Sequence, residues 1–436
     1  MRKKINNLVI LGGGIAAISL AYFLQNKSHI KKITIIEKER KIGGLLRSFK
    51  HNNIFYDVGP HIIFSKHIKT LKIIKDILKD YNTLERFNKI ILNNNFIEYP
   101  IENNLYQMKK NDLKLAFKHF MNNPYEDFDP KNMLQFFLKT FGEGITNLYL
   151  APYNQKIWKF DPSFLDLQMV SRIPKPPVQD IVNSAKGISS TGYKHQKFFY
   201  YPKSGGIETL LKAFKNKLNK KVEIFTSLNI DQIDKSSKKW VIKTNRKVIT
   251  ADKIVSTIPL DNLTKIYSNK NSKIKSYGEE LKYNSICIGI FTVSKDYSGN
   301  NFAFTIPDKD VIFHRISKLD FLGTNYKHNK GCAYLLEITY NPKTSFNIKK
   351  DQILEKCING LKRINFIKSK KEILSHTFKL FSHAYVVYDL NHKKNTNFLK
   401  NFFKNENILL HGRFGSYKYL NSDQVIHNSI LLSKKI

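Results

Sequence analysis

The chain has 436 residues, with 73 Lys and Arg against 35 Asp and Glu, for a formal net charge of +38. A hydrophobic share of 42% supports two or three domains around a large core and excludes a disordered chain. The lysines run through the whole sequence ("KSHIKKITIIEKERK", "KSSKKWVIKTNRK", "IKSKKEIL") instead of gathering in one arm. The charge therefore reads as a bias toward Lys, Asn and Ile, not as a nucleic-acid footprint, although it still attracts a polyanionic small substrate. Cys287, Cys332 and Cys357 form no C-x-x-C pair, which argues against a disulfide framework or a zinc site and for a reducing cytosol. The N-terminus carries no small-residue cleavage site and no apolar run is long enough to span a bilayer. The expectation is a cytoplasmic protein with no stable membrane insertion and no metal.

In chain order, "NNLVILGGGIAAISLAYFLQNKSHIKKITIIEKE" predicts strand, glycine turn, helix and strand. Leu8 to Leu11 are a continuous apolar run, as in a strand buried on both faces. Gly12, Gly14 and Ala17 fill the three positions of G-x-G-x-x-G/A. The first glycine turns the chain, the second admits a pyrophosphate, and the third position keeps helix and strand close. Glu37 ends the second strand where an acid suits a ribose hydroxyl. Helix N–H groups beyond the turn hold the anion, so this unit is a dinucleotide site.

From about 68 to 190 the periodicity is mostly helical, as in "HIKTLKIIKDILKDY" and "NMLQFFLKTFGEGITNLYLAPYNQKIW". Three prolines in "RIPKPPVQD" mark a boundary. "FFYYPKSGGIETLLKAFKNKL" returns to strand, glycine turn and helix, followed by strands to about 260. Between 280 and 345 strands dominate ("SICIGIFTV", "VIFHRISKL", "CAYLLEITY"), and "NILLHGRFGSYKYLNSDQVIHNSILLSKKI" closes with strand, turn and helix.

Several segments carry a resemblance. "EKERKIGGLLRSF", with Lys38, Gly43, Gly44 and Arg47, resembles the second flavin motif of glutathione-reductase-type FAD enzymes. "YDVGPHIIFS", "YPIENN", "APYNQKIWKF" and "GRFGSYKYLNSDQ" make the whole chain similar to the UDP-galactopyranose mutase family. The resemblance implies an α/β fold. Its Rossmann-like FAD-binding domain (1–67, 195–268 and 400–436) is interleaved with a mostly helical substrate domain (68–194) and an antiparallel sheet domain (269–399). It implies interconversion of pyranose and furanose forms of UDP-galactose or a related NDP-sugar, for surface polysaccharide synthesis. FAD would act in its reduced form, with an external donor such as NAD(P)H, and a homo-oligomer is compatible with the sequence.

The same resemblance places Gly412, Arg413, Asp423 and Gln424 at the flavin, although Asp423 serves equally well as an ordinary helix cap. It places His61 beside the isoalloxazine, where a satisfied turn histidine is the plainer alternative. Arg172 and Arg315 fall at the family's diphosphate arginines, with exposed salt bridges as the alternative. Tyr385 and Tyr419 fall at its phenols, Asn154 and Trp158 at its sugar contacts, and Tyr99 and Asn103 near the base. Each aromatic could instead be plain core. The segment "FAFTIPDKDVIFHRISKLDF" has Phe and Thr where the family has further tyrosines, which leaves the sugar and nucleotide open. "GYKHQKFFYYPKSGGIE" is closer to amine and protoporphyrinogen oxidase-like relatives, so an FAD oxidase is the competing reading.

Overall fold

The computed structural model describes residues 3–188, 197–236, 239–268, 272–344 and 350–436, the side chains of Arg172, Thr344 and Lys350 excepted. A five-stranded parallel sheet runs in the order Ile408–Leu410, Lys253–Ser256, Ile5–Leu11, Ile30–Ile36, Val222–Phe225. Leu8, Val9, Ile10 and Leu11 have no solvent exposure, because this strand lies at the centre with helices packed over it. The helix Ile15–Leu24 is apolar on nearly every side. It is sandwiched between the sheet and the C-terminal helix Ser422–Lys435, where Ser19 and Ser429 share a 2.8 Å hydroxyl contact.

A second sheet has seven strands, in the order Ile373–Val387, Lys282–Val293, Cys332–Tyr340, Arg315–Lys318, Ala303–Thr305, Asn88–Leu92, Asn95–Glu98. All its pairs are antiparallel except Ala303–Thr305 with Asn88–Leu92, so the sheet is mixed and not purely antiparallel. One face of this sheet carries its own apolar cluster, including Phe291, Phe304, Phe313, Phe366, Cys287 and Cys357. Helix Lys350–Arg363 supplies part of that cluster.

The segment read as mostly helical is more varied. It contains helices Ile68–Leu78, Lys110–Met121, Met133–Ile145, Ala151–Trp158 and Val178–Ala185. It also contains strand Tyr81–Glu85, which pairs with Phe198–Pro202, and the hairpin Asn88–Leu92/Asn95–Glu98. The hairpin turns at Asn93 and Asn94, whose φ values of 50° and 61° suit a turn matched to strand twist. Conversely, helices Lys350–Arg363 and His392–Asn405 lie within or across the stretch read as sheet. Among the described residues no helix is long and apolar enough to cross a membrane.

Candidate functional site

The glycine turn follows the central strand and opens the first helix. Gly12 has φ +94°, and a Cβ there would stand 2.7 Å from Thr257 Oγ1, so only glycine fits. The Gly13 N–H donates to Glu37 Oε2 (2.7 Å), and the Glu39 N–H donates to Oε1 (2.9 Å). Glu37 therefore clamps the loop through its own backbone partners. The Gly43 N–H donates to the Gly13 carbonyl (2.9 Å), bringing Gly44 against Gly14. Above this floor lies a cavity of about 630 Å³, lined by Gly12, Gly14, Glu37, Lys38, Gly43, Gly44, Arg47, His61, Gly412 and Arg413. Arg47 is steered by a bond from its Nε to the Gly44 carbonyl (2.9 Å). A cavity of this volume at a helix N-terminus, with Gly12, Gly13, Gly14, Gly43 and Gly44 in its lining, fits a dinucleotide. Ala17 is fully buried behind this floor, as close helix–sheet packing requires.

A second cavity, also about 630 Å³, meets the first at Leu45, His61, Arg413 and Ser422. His61 follows Gly59 and Pro60 on the turn that leaves strand Ile54–Asp57. Burial and the nearby guanidiniums of Arg413 and Arg315 push the imidazole down to about 3, so it stays neutral. Its Nε2 has no hydrogen-bond partner in the structure. Arg413 is held by its Nε and Nη1 to the carbonyls of Leu420 and Ala384 (2.7 and 3.1 Å) and lies 4.8 Å over the Tyr419 ring.

Arg315 enters the second cavity from strand Arg315–Lys318. Its Nε donates to Glu337 Oε1, and the Tyr385 hydroxyl donates to Glu337 Oε2 (2.9 Å). Glu337 is 1% exposed, an acid inside the apolar strand Cys332–Tyr340. Its charge holds the Arg315 guanidinium firmly protonated and pushes the Tyr385 phenol up, behind burial. Tyr99, Tyr153, Tyr419 and Arg86 complete this wall. Tyr153 stacks on Tyr149 (centroids 5.5 Å apart, planes at 12°). With its amide oxygen turned to Arg86, Asn88 accepts from Arg86 Nε at 2.7 Å. Burial and the Arg315 charge lower the proton affinity of Arg86.

The structure thus gathers Gly12, Gly14, Glu37, Lys38, Gly43, Gly44, Arg47, Gly412 and Arg413 at the first cavity, with His61 at the junction. It gathers Arg315, Tyr99, Tyr385 and Tyr419 at the second. Asp423 and Gln424 line the second cavity and not the first. The helix cap there is Asn421, with the Gln424 side chain accepting from its backbone N–H (2.9 Å). Asn154 and Trp158 lie behind the wall. Trp158 Nε1 donates to Asn154 Oδ1 (3.0 Å), and the indole meets Tyr385 and Tyr419 edge-on at 5.9 and 5.6 Å. Asn103 is 6% exposed and is absent from the wall. Arg172 ends a 3-10 turn, Leu167–Arg172, and its side chain lies outside what the structure describes. Sequence reasoning missed Glu337, Arg86 and Tyr153. The sign for Glu337 was available: a lone acid in "CAYLLEITY" needs a buried partner.

Fold and cavities together define a dinucleotide-binding α/β protein with an adjoining arginine- and tyrosine-lined chamber. The sequence profile of the flavin-containing amine oxidoreductases matches residues 15–404, and the chain belongs to that family. It is similar to the L-amino-acid oxidase of Crotalus adamanteus, 19% identical over 54% of this chain and 46% of that protein. The chain therefore spans less than half the length of that relative. It is 21% identical to the protoporphyrinogen oxidase of Dictyostelium discoideum over 70% of this chain and 71% of the other. With the UDP-galactopyranose mutase of Mycoplasma genitalium it shares 25% over 49% and 52%. A crystal structure of reduced UDP-galactopyranose mutase superposes with a TM-score of 0.90 over 98% of this chain and 95% of that one, at 22% identity. At that identity the likeness is one of fold. Among the described residues no cluster of His, Cys, Asp or Glu is arranged to hold a metal.

Proposed function

We propose that the chain is an FAD-dependent nucleotide-sugar mutase that interconverts pyranose and furanose forms of a UDP-galactose-like substrate. The observation that carries this is the Arg315–Glu337–Tyr385 cluster, in which a buried carboxylate holds a half-buried arginine, opening with Tyr419 and Tyr153 onto a chamber that joins the dinucleotide cavity at His61. Gly12, Gly14, Gly43, Gly44, Arg47 and Arg413 would hold FAD, whose reduced form supplies a nucleophile to the anomeric carbon. Glu37, satisfied by two backbone N–H groups, retains lone pairs for a ribose hydroxyl.

The chain's own residues meet the demands of that reaction. Departure of a nucleoside diphosphate leaves charge on its oxygens, and Arg315 meets it with a preset fork. The Tyr419 phenol can donate to the same oxygens without adding charge, while the single Tyr385 O–H is held by Glu337 Oε2. Tyr153, backed by Tyr149, offers a flat face to a base. His61 remains neutral, so its free Nε2 can accept a hydrogen bond from a ligand group at the junction of the cavities. The strong positive field brings the anionic substrate to the mouth.

The likeness to a protoporphyrinogen oxidase over 70% of the chain supports a second reading, hydride removal from an amine or porphyrinogen. One experiment separates the two. The dithionite-reduced holoprotein is incubated with UDP-galactose and the products are resolved by chromatography. In parallel, the oxidised protein is mixed with amines and protoporphyrinogen. A furanose product supports the mutase; bleaching of the flavin by a donor, with no sugar isomerisation, overturns it.

A further inference from the structure

Glu337 touches more of the site than its place in a strand requires. One oxygen, Oε1, accepts from Arg315 Nε; the other, Oε2, accepts from the Tyr385 hydroxyl (2.9 Å). Oε2 also faces the turn that carries His61: a Cβ built on Gly59 would come within 3.3 Å of it. Gly59 has φ +84°, so a glycine is required there for conformation, and its bare backbone lets the carboxylate pack against the turn. His314 Nε2 stands 3.9 Å from the same oxygen, without a hydrogen-bond partner, while its Nδ1 contacts Thr339 Oγ1 (3.2 Å). A carboxylate that is 1% exposed cannot swing into solvent when one of its donors moves. Displacement of Arg315 or Tyr385 is therefore passed on to what else the carboxylate faces, His314 and, nearer, the His61 turn.

We propose that Glu337 is a positioning residue that couples occupancy of the anion grip at Arg315 and Tyr385 to the placement of His61 at the junction of the two cavities. An anion that engages Arg315 pulls on Oε1, Oε2 follows, and the backbone at Gly59 shifts with it. Through His61, which lines both cavities, a flavin held in the first would then respond to whether the second is filled. The inference rests on the proposed function in taking the ligand to be a diphosphate, and it extends that reading by assigning a residue that touches neither ligand nor cofactor.

The test uses the FAD-loaded protein titrated with UDP and, separately, with inorganic pyrophosphate. Calorimetry reads binding, and the flavin absorption difference spectrum reads coupling. In the wild type both ligands bind and both perturb the flavin band. In Glu337→Gln the ligands still bind, but the flavin change at saturation is lost. Glu337→Asp keeps the charge and shortens the reach toward Gly59, so it also loses the flavin change. If Glu337→Gln fails to fold, Glu337→Asp decides the matter alone. A wild-type flavin change in either folded variant, or wild-type binding with no flavin change, overturns the coupling while leaving the mutase reading standing. Pyrophosphate that binds and perturbs the flavin while UDP does not bind supports the coupling and sinks the nucleotide reading. Failure of both ligands to bind the wild type sinks both.

Discussion

Asp57, two residues before Gly59, offers a sharp test of how the His61 turn is anchored. Its carboxylate accepts from Ser48 Oγ (2.6 Å), from the Tyr201 hydroxyl and from the Ile207 N–H (3.1 Å), and it is 2% exposed. Burial outweighs those three bonds and raises its pKa from 3.8 to about 6. In the unfolded chain the carboxyl ionises near its ordinary value; in the folded protein it holds its proton to higher pH. The folded state is therefore favoured by this group at low pH, and the benefit is lost as pH rises from about 3.8 through about 6. The size of that loss is about 3 kcal/mol, from 1.36 kcal/mol for each tenfold change in proton affinity. Asp57→Asn keeps an acceptor for Ser48 and Ile207 and cannot ionise. Denaturant titrations of both proteins from pH 3 to pH 7 should show the wild type losing about 3 kcal/mol relative to the variant, then running parallel to it above pH 7. The buried histidines His61, His392 and His411 titrate in both proteins, so their effect cancels in the difference. A difference that does not change with pH would refute the claim that Asp57 is held at the cost of desolvation.

Gly12→Ala places a side chain against Thr257 at a φ that favours glycine, so purified protein should retain about tenfold less flavin by absorbance, with the secondary structure unchanged. Arg315→Met leaves the Glu337 charge buried without its cationic partner and should cost about 3 kcal/mol in urea melts. The double variant Arg315→Met/Glu337→Gln should recover much of that stability yet bind no UDP. His61→Ala should lower turnover by about tenfold, the worth of one hydrogen bond, while leaving flavin content near wild type, measured by steady-state kinetics and flavin absorbance on the same sample. Unchanged turnover would return His61 to an ordinary turn residue.

The N-terminal strand–turn–helix–strand was legible because every local cue agreed: a run of buried aliphatics, glycines where backbone must approach backbone, and an acid at the second strand's end. Glu37 shows where such reading stops. Its position is plain in the sequence, but its bonds to the Gly13 and Glu39 N–H groups depend on the folded loop. The strands between 81 and 98 went unseen because they are short and partly polar, and the Asn93–Asn94 turn between two of them was the overlooked cue. Asn154 and Trp158 share a helix face, as their spacing predicts, but that face turns toward the back of the tyrosine wall. Periodicity identifies neighbours on a helix; it does not say which side of a wall they occupy. Arg86 was missed because a lone arginine carries little information until a fold puts it beside Arg315, Tyr99 and Tyr153.

The strand order of the parallel sheet also bears on how the protein is made. Its central strand ends at Leu11, yet the edge strand Ile408–Leu410 and the helix Ser422–Lys435 that covers the first helix are distant from it in sequence. Pairings this far apart in sequence form slowly, because loop closure must precede the contacts that reward it. During synthesis the glycine turn precedes one wall of its own cavity, since Gly412 and Arg413 lie far downstream of it. The cavity is complete only after that distant segment has docked on the sheet. A nascent chain stalled before residue 408 would expose the apolar faces of the central strand and first helix until the segment from 408 onward arrives.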